Sequence, residues 1–461
     1  MRLSRPLLKQ RVNALPLLRF NCEGLTSFSG LELFRSFFRG LALTDRLRSL
    51  LADRLPGSDY PGVGLILLLL ALLLTGGRRL AHLRALQHDP VVARFCGLSR
   101  LPAERSVSRW LAKSGGTHVD ALKRVNDTVT SDLVHGLNLR RLTLDIDGSV
   151  VSTGLKVEGA RRGYNPHRRK VPSYYPITAY EAQSGLLLKV QNRAGNVHDG
   201  HGALAFIDEL LVQLKGTYPE ALHLEFGMDG SFFLKEIFER MDASGAEYTI
   251  KVPFWKWLDL QSHIRTRKRW QRVQDGVDCF EVRLPIKPWR RRERVVIYRK
   301  HVRHRTARNF QLDLFDPDTG TFEYSAIATN KVLTGAWLWT FMNGRGTHEK
   351  VYGELKSGFA FDSVPSMKYH GNSAWQVLSV LAFNLSRALQ ASQQDARNVT
   401  TPSRRARFIF QSIRSLRFQW LNLAGLLVHP CGKTTLDVGT NPVVRQHFSS
   451  IASSLDFKIA A

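Results

Sequence analysis

The sequence predicts an α/β protein with a mixed sheet, an α-helical N-terminal domain and a β-rich insertion. Three observations support this prediction. Apolar residues recur at helical spacing up to about residue 138, whereas strict alternation begins at Leu142 and strand and helix patterns then follow one another to residue 252. Residues 253–325 alternate again but are rich in Trp, Arg and Lys, which indicates an inserted subdomain.

The charge of the chain indicates its partner. Its 461 residues are 43% hydrophobic, which is ordinary for a folded protein of several domains, but the formal net charge is +27. Lys and Arg release counterions when they neutralise phosphates, so the excess predicts a polyanionic partner, either nucleic acid or an anionic membrane surface. The longest apolar run, Val63 to Leu74, is too short to span a bilayer and predicts a buried core helix, which favours nucleic acid and no membrane.

Cysteine usage and the N-terminus indicate a compartment. The four cysteines stand apart, with no C-x-x-C pair and no His at zinc spacing. The first sixteen residues are basic but lack the apolar centre of a secretory signal. We therefore expect plain thiols in a reducing cytoplasm.

The helical N-terminal domain contains one segment that resembles a recognition helix. A turn at Leu101-Pro102 precedes a helical pattern that exposes Arg105 and Arg109. A helix of this kind can enter the major groove of DNA, and an ordinary surface helix gives the same pattern. We predict DNA binding for this domain, with both interpretations of the helix open.

Two acids alternate with apolar residues in the first predicted strand. Leu142, Leu144 and Ile146 share one face, and Asp145 and Asp147 share the other. Neighbouring carboxylates repel one another unless a cation or water lies between them. An edge strand that exposes its acids to solvent is the alternative.

A third acid follows a later strand. Two strands complete a three-stranded meander, and a helix and the strand Leu222 to Phe226 come next. Asp229 then stands at the carboxyl end of that strand, where ligands and catalytic groups collect in open α/β sheets. Ordinary turn chemistry also places Asp before Gly-Ser. The pattern further predicts Ser231 as the N-cap of a helix from Phe232 to Met241.

Basic and aromatic residues cluster in two further places. The loop at residues 161–170 carries cations suited to phosphate contacts: Arg161, Arg162, Arg168, Arg169 and Lys170. The insertion interleaves aromatic and cationic residues, as proteins that stack bases do: Trp255, Trp257, Arg290, Arg291 and Arg292. A solvated loop and a small apolar core are the respective alternatives.

One late helix brings an acid among cations. If residues 343–359 are helical, Arg345, Glu349, Tyr352 and Lys356 share one face. Taken alone, this face favours a solvated helix carrying a weak ion pair.

Together these segments resemble the DDE transposases of bacterial insertion sequences, in the branch with the motif Y-x2-R-x3-E-x6-K. The resemblance spans about Gly30 to Leu389 and is carried by LDIDGS at 144–149, GYNP at 163–166, DGSFF at 229–233 and GRGTHE at 344–349. It implies a ribonuclease H-like core, interrupted by an insertion before the last catalytic helix. The implied boundaries are a helical domain at 1–138, a core at 139–252 and 326–391, an insertion at 253–325, and a C-terminal linker and helical tail at 392–461.

The resemblance also implies roles for particular residues. Asp147, Asp229 and Glu349 take the positions of the catalytic, metal-binding triad, whereas Asp145 and Glu354 do not match it. Arg345 and Lys356 take the positions that hold phosphates of the DNA end. Met342 stands where the motif has Tyr.

The implied reaction is cleavage of transposon ends followed by strand transfer to target DNA. It uses two Mg²⁺ ions, for which Mn²⁺ can substitute. The implied partners are double-stranded DNA, as transposon ends and as target, and a second copy of the chain in the DNA complex, within the bacterial nucleoid. A ribonuclease H-like nuclease without strand transfer and a transposase-derived DNA-binding protein with weakened chemistry are the alternatives.

Overall fold

The structure is a computed structural model that describes residues 14–154, 156–163, 165, 168, 170–197, 200, 202–218, 222–301, 322–397, 404 and 406–455. Its centre is a nine-stranded mixed sheet. Helices from the two ends of the chain pack on one face, and helices from the middle of the chain pack on the other. The predicted mixed α/β fold is therefore confirmed.

The N-terminal part of the chain is helical, as predicted. Its helices are α1 (Leu31–Gly40), α2 (Leu43–Leu51), α3 (Gly62–Thr75), α4 (Pro90–Cys96), α5 (Glu104–Ala112) and α6 (Gly116–Gly136). Every residue of α3 from Gly64 onward is buried, which confirms the predicted core helix. Within the described residues no single helix is long and apolar enough to cross a membrane, and one bent pair, α3 with the turn at Leu80–Leu86, passes that test by length and composition only.

The first half of the central sheet follows the predicted order of elements. Its strands are β2 (Arg141–Gly148), β5 (Ile177–Glu181), β6 (Leu187–Gln191), β7 (His223–Met228) and β8 (Glu247–Lys251). They lie in the order β6-β5-β2-β7-β8, with β2, β7 and β8 parallel and β5 and β6 antiparallel to their neighbours. Helix α7 (Ala203–Thr217) lies between β6 and β7 in the chain, and α8 (Lys235–Ser244) connects β7 to β8. A separate pair, β3 (Val151–Ser152) and β4 (Ser173–Tyr174), follows β2.

The alternation in β2 separates an apolar face from a polar face. Leu142, Leu144 and Ile146 pack into the core beneath α7 and α8. On the opposite face, Asp145 is 0% exposed. Because β2 lies between β5 and β7 in the interior of the sheet, the edge-strand alternative for its acids is wrong.

The predicted insertion continues the central sheet. After α9 (Leu260–Thr266) come β9 (Gln271–Gln274), β10 (Val277–Ile286), β11 (Arg291–His301) and β12 (Phe322–Thr329). Strand β12 pairs antiparallel with β8, and β11, β10 and β9 follow outward. The described strands of this segment therefore extend the core sheet and form no sheet of their own. Residues 302–321 of the predicted insertion lie outside the described residues.

The C-terminal part contains more than the predicted linker and helical tail. Helices α10 (Gly335–Asn343), α11 (Gly346–Phe359) and α12 (Tyr369–Ala391) are followed by α13 (Ile413–Leu416), β13 (Gly425–Val428), β14 (Thr435–Val438) and α14 (Pro442–Ser453). Strands β13 and β14 form a small sheet with β1 (Leu25–Thr26) near the N-terminus. Trp420 and Leu421 are buried in the core of the N-terminal helices, so the end of the chain packs against its beginning.

Candidate active site

The carboxyl ends of three adjacent parallel strands bring charged residues into one row. Ile146 of β2 pairs with Met228 of β7, which pairs with Ile250 of β8. The next residues along the three strands are Asp147, Asp229 and Lys251. Because neighbouring strands lie about 4.8 Å apart, this register places the two predicted aspartates side by side, with a lysine next to them.

Asp229 is fixed by a tight turn. Its Oδ1 accepts hydrogen bonds from the backbone N–H of Ser231 at 3.0 Å and from the Ser231 hydroxyl at 2.6 Å. The predicted helix is present, but its predicted start with Ser231 as N-cap is wrong, because Asp229 itself caps a short 3₁₀ turn at Gly230–Phe232 and α8 begins only at Lys235. The turn holds the carboxylate at the end of β7.

The helix that carries Glu349 begins beside this row. Arg345 is the N-cap of α11, and Glu349 lies in its first turn with an exposed side chain. The Arg345 Nη2 donates to the Ile146 carbonyl at 3.1 Å and lies 3.9 Å from Asp147 Oδ2. Its Nε lies 3.9 Å from Asp145 Oδ1. Arg345 therefore joins the start of α11 to the end of β2.

The carboxylates of the three predicted catalytic acids each raise the pKa of the same two side chains, Arg345 and Lys251. Burial lowers the pKa of Arg345 while carboxylates, Asp147 first among them, raise it, and the net result is a raised pKa. Burial and the nearby Arg345 lower the pKa of Lys251 to about 8, against the opposing effect of Asp229, Glu349 and Asp147. Sequence reasoning missed Lys251, although its place at the end of a predicted strand was visible.

A buried hydroxyl ties α11 to Asp147. The Tyr352 hydroxyl donates to the Asp147 carbonyl at 2.8 Å and lies 2.7 Å from Thr178 Oγ1. Thr178 Oγ1 also lies 2.9 Å from His348 Nε2. Lys356, one helical turn further along, donates to the Val150 carbonyl at 3.0 Å. These contacts fix the strand end that carries Asp147 against the helix that carries Glu349.

Two residues singled out by the sequence have structural surroundings. Met342, at the motif's Tyr position, is buried in an apolar cluster with Tyr298 and Trp339. Glu354 accepts hydrogen bonds from the Ile413 N–H at 2.9 Å and from Arg387 at 3.4 Å. The side chain of Glu354 is thus hydrogen-bonded to residues of α12 and α13.

A cation from the C-terminal segment reaches the same edge. The Arg404 guanidinium donates to Asp145 Oδ2 and, at 3.1 Å, to the Phe341 carbonyl. Its side chain packs on Gly344, where an added Cβ would lie 2.5 Å from Arg404 Cδ. Asp145 therefore lies between two arginines from distant parts of the chain. No local pattern around residue 404 signalled this role.

Most of the predicted DNA-binding residues are on the surface. Eight cations are exposed: Arg105, Arg109, Arg161, Arg162, Arg168, Lys170, Arg290 and Arg292. Trp255 and Trp257 are 41% and 49% exposed and stack with centroids 5.5 Å apart. Arg291 instead forms ion pairs with Asp242 at 2.9 Å and with Glu293, so its guanidinium group faces acidic side chains of the protein itself. Arg169 lies outside the described residues.

The donor set fits a hard divalent cation by its chemistry. Carboxylate oxygens are the ligands that Mg²⁺ and Mn²⁺ prefer, and Asp147, Asp229 and Glu349 act on the same two cationic side chains. In the part of the chain that the structure describes, however, no three His, Cys, Asp or Glu side chains are grouped closely enough to hold a metal ion. The positive charge that the structure shows near these carboxylates comes from the side chains of Arg345 and Lys251.

Comparison with known proteins identifies the class. The family model described as transposase DDE domain, group 1, matches residues 10–458. Among solved structures, the chain is similar to a piggyBac transposase in a synaptic complex with hairpin DNA, with a TM-score of 0.43 and 9% identity over 94% of this chain and 87% of that chain. No curated protein matches the chain.

The family match covers nearly the whole chain, so the class is that of the transposition enzymes with a DDE domain. The chain belongs to the DDE transposases of group 1. The resemblance drawn from the four sequence motifs is thereby confirmed. Enzymes of this family act on DNA and generally use divalent metal ions.

Proposed function

We propose that this transposase binds the terminal inverted repeats of an insertion sequence and cleaves and joins DNA at Asp147, Asp229 and Glu349. The observation that carries the proposal is the shared row of Asp147 and Asp229 at the carboxyl ends of parallel strands, with the Glu349 helix held against that row. The strand order β6-β5-β2-β7-β8 supports a ribonuclease H-like core.

Asp147, Asp229 and Glu349 would hold two Mg²⁺ ions, which supply charge stabilisation for in-line displacement at phosphorus and activate a water or a 3′-hydroxyl. The chain's own groups set the orientation of these ligands. The Gly148 N–H donates to Asp147 Oδ1 at 2.9 Å, and Ser231 holds Asp229. Such hydrogen bonds to ligand carboxylates restrict their rotation and so favour one arrangement of the site.

DNA binding rests on the exposed cations and on a pair of aromatic side chains. Trp255 and Trp257 are stacked and half-exposed, and Trp255 packs against Phe233, four residues after Asp229, with ring centroids 5.8 Å apart. An aromatic pair beside the catalytic row suits the stacking of an unpaired base near the cleaved bond. Arg345 and Lys356 are the motif cations for the phosphates of the DNA end, and pairing of two ends favours a homodimer on DNA.

Cleavage of a duplex that carries the element's own terminal repeats tests the proposal. We expect wild type to cleave in Mg²⁺ or Mn²⁺, and Asp147→Asn, Asp229→Asn and Glu349→Gln to bind the duplex but to lose cleavage by at least about a thousandfold. Glu354→Gln is the matched control on the same helix, because Gln keeps an acceptor for the Ile413 N–H. Retained cleavage in all three acid variants would rule out this site.

A second substrate separates joining from cutting. A pre-cleaved end with a free 3′-hydroxyl, incubated with target DNA, reports strand transfer alone. Joined products support a transposase that completes both steps. Cleavage of the intact duplex without any joining of the pre-cleaved end would instead indicate a nuclease. Binding of DNA without either reaction would indicate a DNA-binding protein that has lost catalytic activity.

A further inference from the structure

Lys251 occupies a place in the catalytic row that the family motifs leave unassigned. It is the last residue of β8 and follows Ile250, whose register with Met228 puts Lys251 next to Asp229. Antiparallel pairing with Ile327 of β12 fixes its backbone. The side chain therefore starts from a rigid position in the interior of a nine-stranded sheet, at the same edge as Asp147.

Each of the other cations at this edge has at least one acceptor within the protein. Arg345 donates to the Ile146 carbonyl, and Lys356 donates to the Val150 carbonyl. Arg404 is held by Asp145. Among the described residues, the Lys251 ammonium makes no hydrogen bond and no ion pair within 4 Å, although it lies in the field of three carboxylates.

The Lys251 side chain is only partly exposed, and an ammonium group in such a place without a hydrogen-bonding partner in the protein favours a ligand that supplies anionic oxygens. We infer, on the basis of the proposed function, that Lys251 binds a non-bridging oxygen of the phosphate that is cleaved. A fixed positive charge there stabilises the negative charge that spreads over the equatorial oxygens during phosphoryl transfer. Lys251 then contacts the reacting group itself and is a catalytic residue.

The inference is tested with a duplex in which the phosphate at the cleavage position is replaced by an uncharged methylphosphonate. Binding is measured without metal ions, so that the result does not depend on the active, metal-loaded enzyme. We expect wild type to bind the native duplex about tenfold more tightly than the methylphosphonate duplex, because one charge-assisted hydrogen bond is lost. Lys251→Met is expected to bind the two duplexes equally well.

Two further variants serve as controls for this binding measurement. Lys215→Met removes an exposed lysine from α7, on the opposite face of the sheet, and should discriminate between the duplexes like wild type. Lys251→Arg keeps the positive charge and should retain discrimination between the duplexes. If thermal unfolding shows that Lys251→Met is destabilised, the Lys251→Arg result distinguishes loss of the phosphate contact from loss of the fold.

The failure of this inference is distinct from the failure of the proposed function. If Lys251→Met still prefers the native duplex about tenfold, or Lys251→Arg loses the preference while folded, the contact is refuted even though wild type cleaves its ends. If wild type neither binds nor cleaves any end duplex, the proposed function is refuted, and the inference with it.

Discussion

Removal of the Arg404 side chain tests how the C-terminal segment supports the edge of the sheet that carries Asp147 and Asp229. Asp145 is 0% exposed, and its Oδ2 is paired with Arg404 while its Oδ1 lies 3.9 Å from Arg345. Loss of one partner from a buried pair typically costs about 3–5 kcal/mol, because the remaining charge is uncompensated. Arg345 keeps part of that compensation, so we expect Arg404→Ala to lower the free energy of unfolding by about 3 kcal/mol.

Urea unfolding, followed by tryptophan fluorescence and by circular dichroism, measures this change. Arg397→Ala, an exposed change in the same segment, is the control and should stay within about 0.5 kcal/mol of wild type. Asp145→Asn removes the buried charge with almost no change in volume, so the double variant with Arg404→Ala should be more stable than the sum of the single losses predicts. A loss below about 1 kcal/mol for Arg404→Ala, or strict additivity in the double variant, would refute this reasoning.

Three further predictions follow from the site and its surroundings. Tyr352→Phe removes the hydroxyl that donates to the Asp147 carbonyl and should slow single-turnover cleavage about tenfold, with equal DNA affinity in a binding titration. Met342→Tyr restores the motif residue but overfills an apolar cluster, so thermal unfolding should show a loss of about 1–3 kcal/mol, without faster cleavage. Burial lowers the pKa of His118 to about 4 from 6.5. Because the unfolded chain then binds the proton first, stability should fall as pH drops from 6.5 to 4, and His118→Gln should weaken this dependence in urea titrations.

Alternation and turn residues sufficed to predict the first half of the sheet. Period-two alternation marks a strand that has one apolar face, and it correctly assigned Leu142, Leu144 and Ile146 to a single core. The same pattern placed Asp147 and Asp229 near strand ends, which parallel pairing then brings into register. These features are local, so a single sequence contains them.

Other features depend on contacts between distant residues. The pairing of β12 with β8 makes the predicted insertion a continuation of the sheet, and alternation within a strand does not specify its neighbour. Arg404 and Asp145 are 259 residues apart, and residue 404 stands in a polar, basic stretch typical of a linker. The helix start after Asp229 was also misplaced, because Asp and Ser in sequence both have the chemistry of an N-cap.

The two ends of the chain meet at the C-terminus of α11, the helix that carries Glu349. Arg78, from the loop that follows α3, donates to the carbonyls of Lys356 and Ser357, each at 2.7 Å. Arg417, from the C-terminal segment, donates to the Gly358 carbonyl at 2.6 Å and to the last carbonyls of α3.

The last carbonyls of a helix lack intrahelical partners and carry its negative dipole end, so these two arginines stabilise α11 by hydrogen bonds and by charge. Arg345 and Tyr352 fix the first half of the same helix to β2. The position of Glu349 is therefore set at both ends of its helix. A shift of the N-terminal helices would therefore be transmitted to Glu349 through the contacts of Arg78 with this helix.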